Sequence, residues 1–324
     1  MLKSAVRISL PAFPPAQLLK LITALVATDG EKWLPRSRPG AFLYLRPAMI
    51  ATDPSLSPRV PEEALLVIVS TFFPSFDDPV PKPGQPKPEP GLKLLASKED
   101  TVRAWPGGFG YAKVGANYGP SMVAQVEAKA RGFNQILWLF GADSEVTEAG
   151  ASNFIVVWKT REGKKELITA PLGDKLILEG ITRRSVLELA RERLAEELDV
   201  VERKYGITEV EEAVEEGRML EAFVVGTAVR ASFLCLHFST SRPLIPHFYP
   251  SSLVAAVADF SSQYFIAPVS LIHSRGKELA IPLSAGESGP YAKMLKHWLR
   301  EIVYGDVQHG WGVVVEEKSF GSTA

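Results

Sequence analysis

Apolar positions recur along this chain in two rhythms, and these sort it into elements before any chemistry is considered. Leu18, Leu21, Ile22 and Leu25 fall at helical spacing. Pro14 and Pro15 stand at one end and Gly30 at the other, which predicts an amphipathic core helix over 15–29. The stretch 42–46 (FLYLR) reads as a short strand, with Tyr44 and Arg46 two residues apart on one face. The almost unbroken apolar run Ala64–Phe73 predicts a buried strand. Composition then changes: 74–90 holds seven prolines and predicts an extended, solvated linker. Beyond it the pattern predicts a strand at 92–95, a helix at 121–132 and a buried strand at 136–140. A hairpin from 153–158 and 166–170 follows. A helix opening at Thr182 carries Val186, Leu189, Ala190 and Leu194 as its apolar stripe. The acidic segment 207–217 reads as a short helix with a solvated face, and 220–225 as a strand. A second hairpin spans 267–282 and a last helix runs to Ile302.

Bulk properties narrow the class. A chain of 324 residues can bury a large core and holds one large domain or two. A net charge of −1 gives no reason to expect nucleic acid or an anionic membrane as partner. The single cysteine, Cys235, excludes an internal disulfide and a cysteine metal cluster, and the five histidines lack metal-site spacing. Residues 18–27 mimic a signal peptide, but Lys20 and Thr23 interrupt the run, and no stretch is long and apolar enough to span a membrane.

Candidate chemistry concentrates in 103–120 (RAWPGGFGYAKVGANYGP), where five glycines and two prolines rule out a regular helix. Lys113 stands there alone between Ala112 and Val114, without an acidic neighbour. Such a lysine is ordinarily a surface residue. The alternative is an amine held in a cleft, kept partly neutral by burial and able to form a Schiff base. A threonine cap at Thr182, close after Gly180, leaves free N–H groups at the positive end of a helix, a ready anion site.

The segment Lys113-Val114-Gly115-Ala116-Asn117-Tyr118-Gly119-Pro120 closely resembles the active-site segment K-x-G-x-N-Y-x-P of branched-chain amino-acid aminotransferases. These are pyridoxal-phosphate (PLP) enzymes of fold type IV. The likeness continues through ILWLF at 136–140, TEAG at 147–150, EGITR at 179–183 and Gly226-Thr227-Ala228, and covers nearly the whole chain. EGITR and RAWPGG look more like fungal members than bacterial ones. The resemblance implies an α+β fold of two domains: a small α/β domain and a larger β-barrel-like domain with helices. It places the small domain at 1–73, the linker at 74–91 and the PLP-binding domain at 92–324. It implies Lys113 as the Schiff-base lysine, Tyr118 on the ring O3′, and Glu148 on the pyridine nitrogen. Ile181, Thr182 and Thr227 would hold the phosphate, and Tyr44, Arg46 and Ala228 the substrate. The implied reaction exchanges an amino group between leucine, isoleucine or valine and 2-oxoglutarate, in a homodimer of the cytosol or mitochondrion. A fold-type IV enzyme acting on D-amino acids or aminodeoxychorismate would share Lys113 and Glu148, and an inactive chain stays open beside both.

The sequence departs from the family in three places. Gly150-Ala151-Ser152-Asn153 stands where G-T-M-N is usual, so a threonine hydroxyl is lost. Residues 229–263 interrupt the family spacing, and removing them restores it. The codons permitted at Val229-Arg230 and Gln263 fit intron boundaries, so a retained intron is one expectation, and a true insertion forming a lid or partner surface is the other. Met1 to Arg7 match the middle of the family's small domain, so its phosphate-binding arginine and first strands are expected to be missing.

Overall fold

The computed structural model describes residues 1–34, 37, 40–54, 59–73, 90–227 and 265–315. Two sheets organise these residues. The first is a hairpin of β1 (Phe42–Ala51) and β2 (Ala64–Phe73), paired antiparallel with Phe42 opposite Phe73. Helices α1 (Leu2–Arg7) and α2 (Pro15–Trp33) precede it. Helix α2 runs past Gly30, and none of its residues is fully buried. Strand β2 is not a buried strand either: Leu65 and Val69 are about half exposed, at 53% and 50%. A two-stranded hairpin offers too little surface to cover both faces of a helix and a strand. The linker expected at 74–91 lies, apart from its last two residues, outside the described residues.

The second sheet has nine strands: β3 (Leu92–Ala96), β4 (Gln135–Phe140), β5 (Glu145–Ala149), β6 (Ser152–Lys159), β7 (Lys165–Thr169), β8 (Asp199–Glu202), β9 (Met219–Gly226), β10 (Phe265–Ser274) and β11 (Lys277–Ala280). Strand β9 pairs with both β6 and β10, so the circuit β10-β3-β4-β5-β6-β9 closes on itself. Closure abolishes the sheet edges along that ring. The pairs β3–β4 and β3–β10 are parallel and the others in the ring antiparallel.

The strands at the centre are apolar throughout because both faces are covered. In β6, Phe154, Val156 and Trp158 join one core cluster, with Leu94, Leu137, Val224 and Ala267. Ile155 and Val157 point the other way, into a second cluster with helices α4 (Ile181–Arg193) and α6 (Pro290–Tyr304). Each such fully buried side chain contributes about 1.5–3 kcal/mol. Helix α5 (Ile207–Glu215) is not simply a solvated face, since Ile207, Val210 and Ala213 are buried in the first cluster while its glutamates face outward. Among the described residues no helix is long and apolar enough to cross a membrane.

Candidate active site

The glycine-rich stretch is an irregular loop between β3 and α3 (Ser121–Ala130), with a single 3₁₀ turn at Gly115–Asn117. Lys113 lies on this loop between buried Ala112 and Val114, and is itself exposed. The expectation of an amine enclosed by burial is therefore not met: the flanking side chains turn inward and the lysine outward. Its Nζ donates to the Tyr118 hydroxyl at 2.9 Å. The 3₁₀ turn lies between the two and brings them together within a span of six residues.

Glu148 is 1% exposed on β5, opposite Asn153 of β6. It is a strand residue, with the turn beginning just after it at Gly150, whose φ of +56° a side chain would disfavour. Glu148 Oε1 accepts the Leu178 N–H at 2.9 Å and Asn153 Nδ2 at 2.8 Å. Oε2 lies 2.7 Å from Arg103 Nη2 yet meets no hydrogen-bond geometry there. Arg103 Nη2 donates to Leu176 O at 2.7 Å and Nη1 to Asn117 Oδ1 at 3.2 Å. Burial pushes the Glu148 carboxyl above its ordinary range, opposed by Arg103, the Leu178 N–H, Lys113 and Arg183.

Arg103, Asn117 and Asn153 were not singled out by sequence reasoning as site residues. Arg103 and Asn117 lie in the glycine-rich stretch itself, and both are buried, at 5% and 2%. Their only sequence signal was a charged and an amide side chain in a loop whose other polar groups are few.

The helix start that the sequence offered as an anion site is present, with its boundary shifted by one residue. Helix α4 begins at Ile181 with Gly180 as its N-cap, so Thr182 is the second helical residue rather than the cap. No side chain caps this end and no acidic residue lies in the first turn. The first N–H groups are thus left open, with the positive end of the helix behind them. Gly180 is required by its neighbour: a Cβ there would overlap Asn153 Oδ1. The same Asn153 pairs across β9 with Val225, two residues before Thr227. Glu148, Asn153 and Val225 therefore form one row across β5, β6 and β9, with the α4 N-terminus at its side. Thr227 follows β9 directly and is exposed, and Ala228 lies outside the described residues.

Tyr44 and Arg46 lie on β1, where the guanidinium sits 5.3 Å from the Tyr44 ring centroid and Nη2 donates to its hydroxyl at 3.5 Å. They share a face, as alternation requires. Neither has a described contact with Lys113 or Glu148.

The amino-transferase class IV family profile matches residues 1–230. The mitochondrial branched-chain-amino-acid aminotransferase of Schizosaccharomyces pombe is 37% identical, over 97% of this chain and 63% of its own length. The cytosolic branched-chain-amino-acid aminotransferase of Saccharomyces cerevisiae is 38% identical, over 97% of this chain and 72% of its own length. The chain thus spans 63% and 72% of the length of these two relatives. Among solved structures, the PLP-form branched-chain amino acid aminotransferase of Thermobaculum terrenum superposes with a TM-score of 0.56 at 23% identity, covering 94% of this chain and 78% of that one. That likeness shows the shared fold, a fold-type IV barrel with helices. With the profile spanning well over half of the chain, this protein belongs to the class IV aminotransferase family.

Proposed function

We propose that this chain is a branched-chain amino-acid aminotransferase, exchanging an amino group between leucine, isoleucine or valine and 2-oxoglutarate, with pyridoxal 5′-phosphate carried on Lys113. The observation that carries the reading is Glu148 Oε2, a fully buried carboxylate oxygen without a hydrogen bond beside a guanidinium. A protonated pyridine nitrogen supplies the missing donor. The rest of the donor set fits the same group: a primary amine at Lys113, a phenol at Tyr118, and the open α4 N-terminus for a phosphate.

Bound there, pyridoxal phosphate withdraws electrons from the substrate's α-carbon. As a neutral amine, Lys113 would move the proton from that carbon to the cofactor's C4′ carbon, and the opposite way in the reverse half-reaction. Tyr118 orients Lys113 and the ring hydroxyl. Glu148, steadied by Asn153 and the Leu178 N–H, keeps the ring nitrogen protonated. Ile181 and Thr182 offer backbone N–H groups to the phosphate, and Thr227 a hydroxyl. Tyr44, Arg46 and Ala228 are assigned to the substrate side of the pocket. Residues 1–73 form a smaller domain and 92–324 the cofactor domain, a division supported by the separate β1–β2 sheet and the closed barrel. The protein acts as a homodimer, and its compartment is the cytosol or the mitochondrion, the two that the names of these relatives give.

The decisive experiment is a visible spectrum of the purified chain with added PLP, before and after borohydride, followed by peptide mapping. A band fixed by borohydride on Lys113, then amino transfer from leucine to 2-oxoglutarate, is the expected result. Label spread over surface lysines, or amino transfer from D-alanine but not leucine, would overturn it.

A further inference from the structure

Helix α1 touches the glycine-rich loop at three places that its six residues bring to one side. Arg7 Nη2 donates to Gly107 O at 2.7 Å and to Gly108 O at 3.2 Å, and Nε reaches Gly108 O at 3.3 Å. The same guanidinium lies 4.5 Å from the Phe109 ring centroid. Ser4 Oγ, one helical turn back, accepts the backbone N–H of Lys113 itself at 2.8 Å. Lys3 pairs with Glu179, the residue before Gly180 at the head of α4. Buried Ala5 seats the helix, at 4% exposure.

Other contacts of the loop over this span are packing: Ala112 and Val114 are buried, Lys175 Nζ lies 5.4 Å from the Tyr111 ring centroid, and Gly110 sits against the Lys175 and Leu176 carbonyls. The backbone hydrogen bonds described within 105–114 are short-range turns: Gly108 N–H to Trp105 O, Ala112 N–H to Phe109 O and Val114 N–H to Ala112 O. Gly107 sits at φ +81°, in the region that favours glycine, and three glycines within four residues leave the backbone many alternatives. A segment whose own backbone hydrogen bonds are all local turns opens at smaller free-energy cost than a paired strand. Contacts from a helix about a hundred residues away in sequence supply what the turns do not.

We infer that α1 is a clamp on the lysine-bearing loop, with Arg7 and Ser4 as positioning residues for Lys113. Arg7 fixes the loop's entry through two adjacent carbonyls and an aromatic face. Ser4 fixes the peptide from which the Lys113 side chain departs. The position of Nζ relative to Tyr118 and Glu148 follows from both, and displacement of a reacting group by about 1 Å lowers rates on the order of 100-fold. A planar fork is needed to span two carbonyls while stacking on a ring, so lysine at position 7 replaces only part of the contact.

The inference deepens the reading of Lys113 as the cofactor lysine, and its first test does not depend on cofactor. Amide hydrogen exchange is measured on the full chain without PLP, for wild type, Arg7→Ala, Arg7→Lys and Ser4→Ala. Exchange over 105–113 is expected to rise at least tenfold in Arg7→Ala, several-fold in Arg7→Lys, and several-fold at the Lys113 amide in Ser4→Ala. Strands β4, β6 and β9 should exchange as in wild type. With PLP added, borohydride labelling of Lys113 should require about tenfold more cofactor in Arg7→Ala. Unchanged exchange over 105–113, or equal acceleration in the barrel strands, overturns the clamp. Should wild type fail to take PLP on Lys113, the functional reading falls, while the exchange result still decides the clamp. Ser4→Ala removes one hydrogen bond only and keeps the test readable if Arg7→Ala does not fold.

Discussion

Replacing Arg103 with alanine leaves Glu148 as a buried carboxylate without its cation. Removal of one member of a buried ion pair costs about 3–5 kcal/mol, because the remaining charge is uncompensated. Urea unfolding of Arg103→Ala should show a loss of that order, and Arg103→Ala combined with Glu148→Gln should recover much of it. Equal losses in the single and double variants would mean that Arg103 acts through Asn117 and Leu176 alone, its other two partners. Glu148→Gln by itself keeps the acceptor for Leu178 and removes the charge. Transamination should fall at least 100-fold in that variant while PLP labelling of Lys113 persists. The pair also marks a boundary of what residues reveal in sequence. Lys113 and Glu148 were legible through their motifs, whereas Arg103 meets Glu148 across 45 positions, a contact that only the barrel creates. Likewise the sequence pattern could not tell that Lys113 turns outward, since small apolar neighbours fit a buried lysine and an exposed one equally well.

Elements were readable where packing was two-sided. Strands β4, β6 and β9 stand within a residue or two of their predicted limits because helices cover one face and the barrel core the other. Strand β2 and helix α2 carry equally strong apolar patterns and are not buried, since periodicity reports a face and not what covers it. Element junctions hold a carboxylate that the pattern also missed. Glu221 on β9 is 1% exposed and accepts the N–H groups of Tyr291 at 2.8 Å and Ala292 at 3.0 Å, at the start of α6. Gly289 precedes them, where a Cβ would overlap this carboxylate. Burial raises the Glu221 carboxyl to about 7, against the two N–H bonds that lower it. Because the folded value lies above the unfolded one, this stabilisation is complete below about pH 4.5 and is lost as pH rises through about 7. Wild type should therefore lose about 3 kcal/mol relative to Glu221→Gln between pH 4 and pH 8, read by chemical denaturation at each pH. A constant difference between the two proteins would show that Glu221 does not titrate in that range. At the other helix junction, Gly180→Ala forces Asn153 aside and should weaken PLP binding about tenfold or more. Its melting temperature should change little, because the overlap is with a side chain and not with the barrel backbone.

At the scale of the whole molecule the barrel is closed by β9 and β10, and the chain between them is the long interruption seen in the sequence. Gly226 and Phe265 are directly paired across these two strands. The strands therefore need only a short connection, and residues 228–264 lie outside the described residues. Excision of 229–263 leaves Thr227, Ala228 and Tyr264 between the paired residues, the length of a three-residue hairpin loop. Closing the long excursion carries about 2 kcal/mol more loop entropy than closing that short turn. The excised chain should accordingly fold with the same barrel and unfold at higher denaturant. Thr227 stands at the end of β9, beside the row that holds Glu148 and Asn153. Shortening the connection fixes that residue from both strands, so PLP affinity should rise together with stability. Circular dichroism and denaturant midpoints measure the first effect, and titration with PLP followed by borohydride labelling of Lys113 measures the second. A gain in stability without a gain in affinity would remove Thr227 from the phosphate site. Loss of the folded state on excision would show that 229–263 is an integral part of the barrel's packing, and that the pairing of Gly226 with Phe265 depends on it.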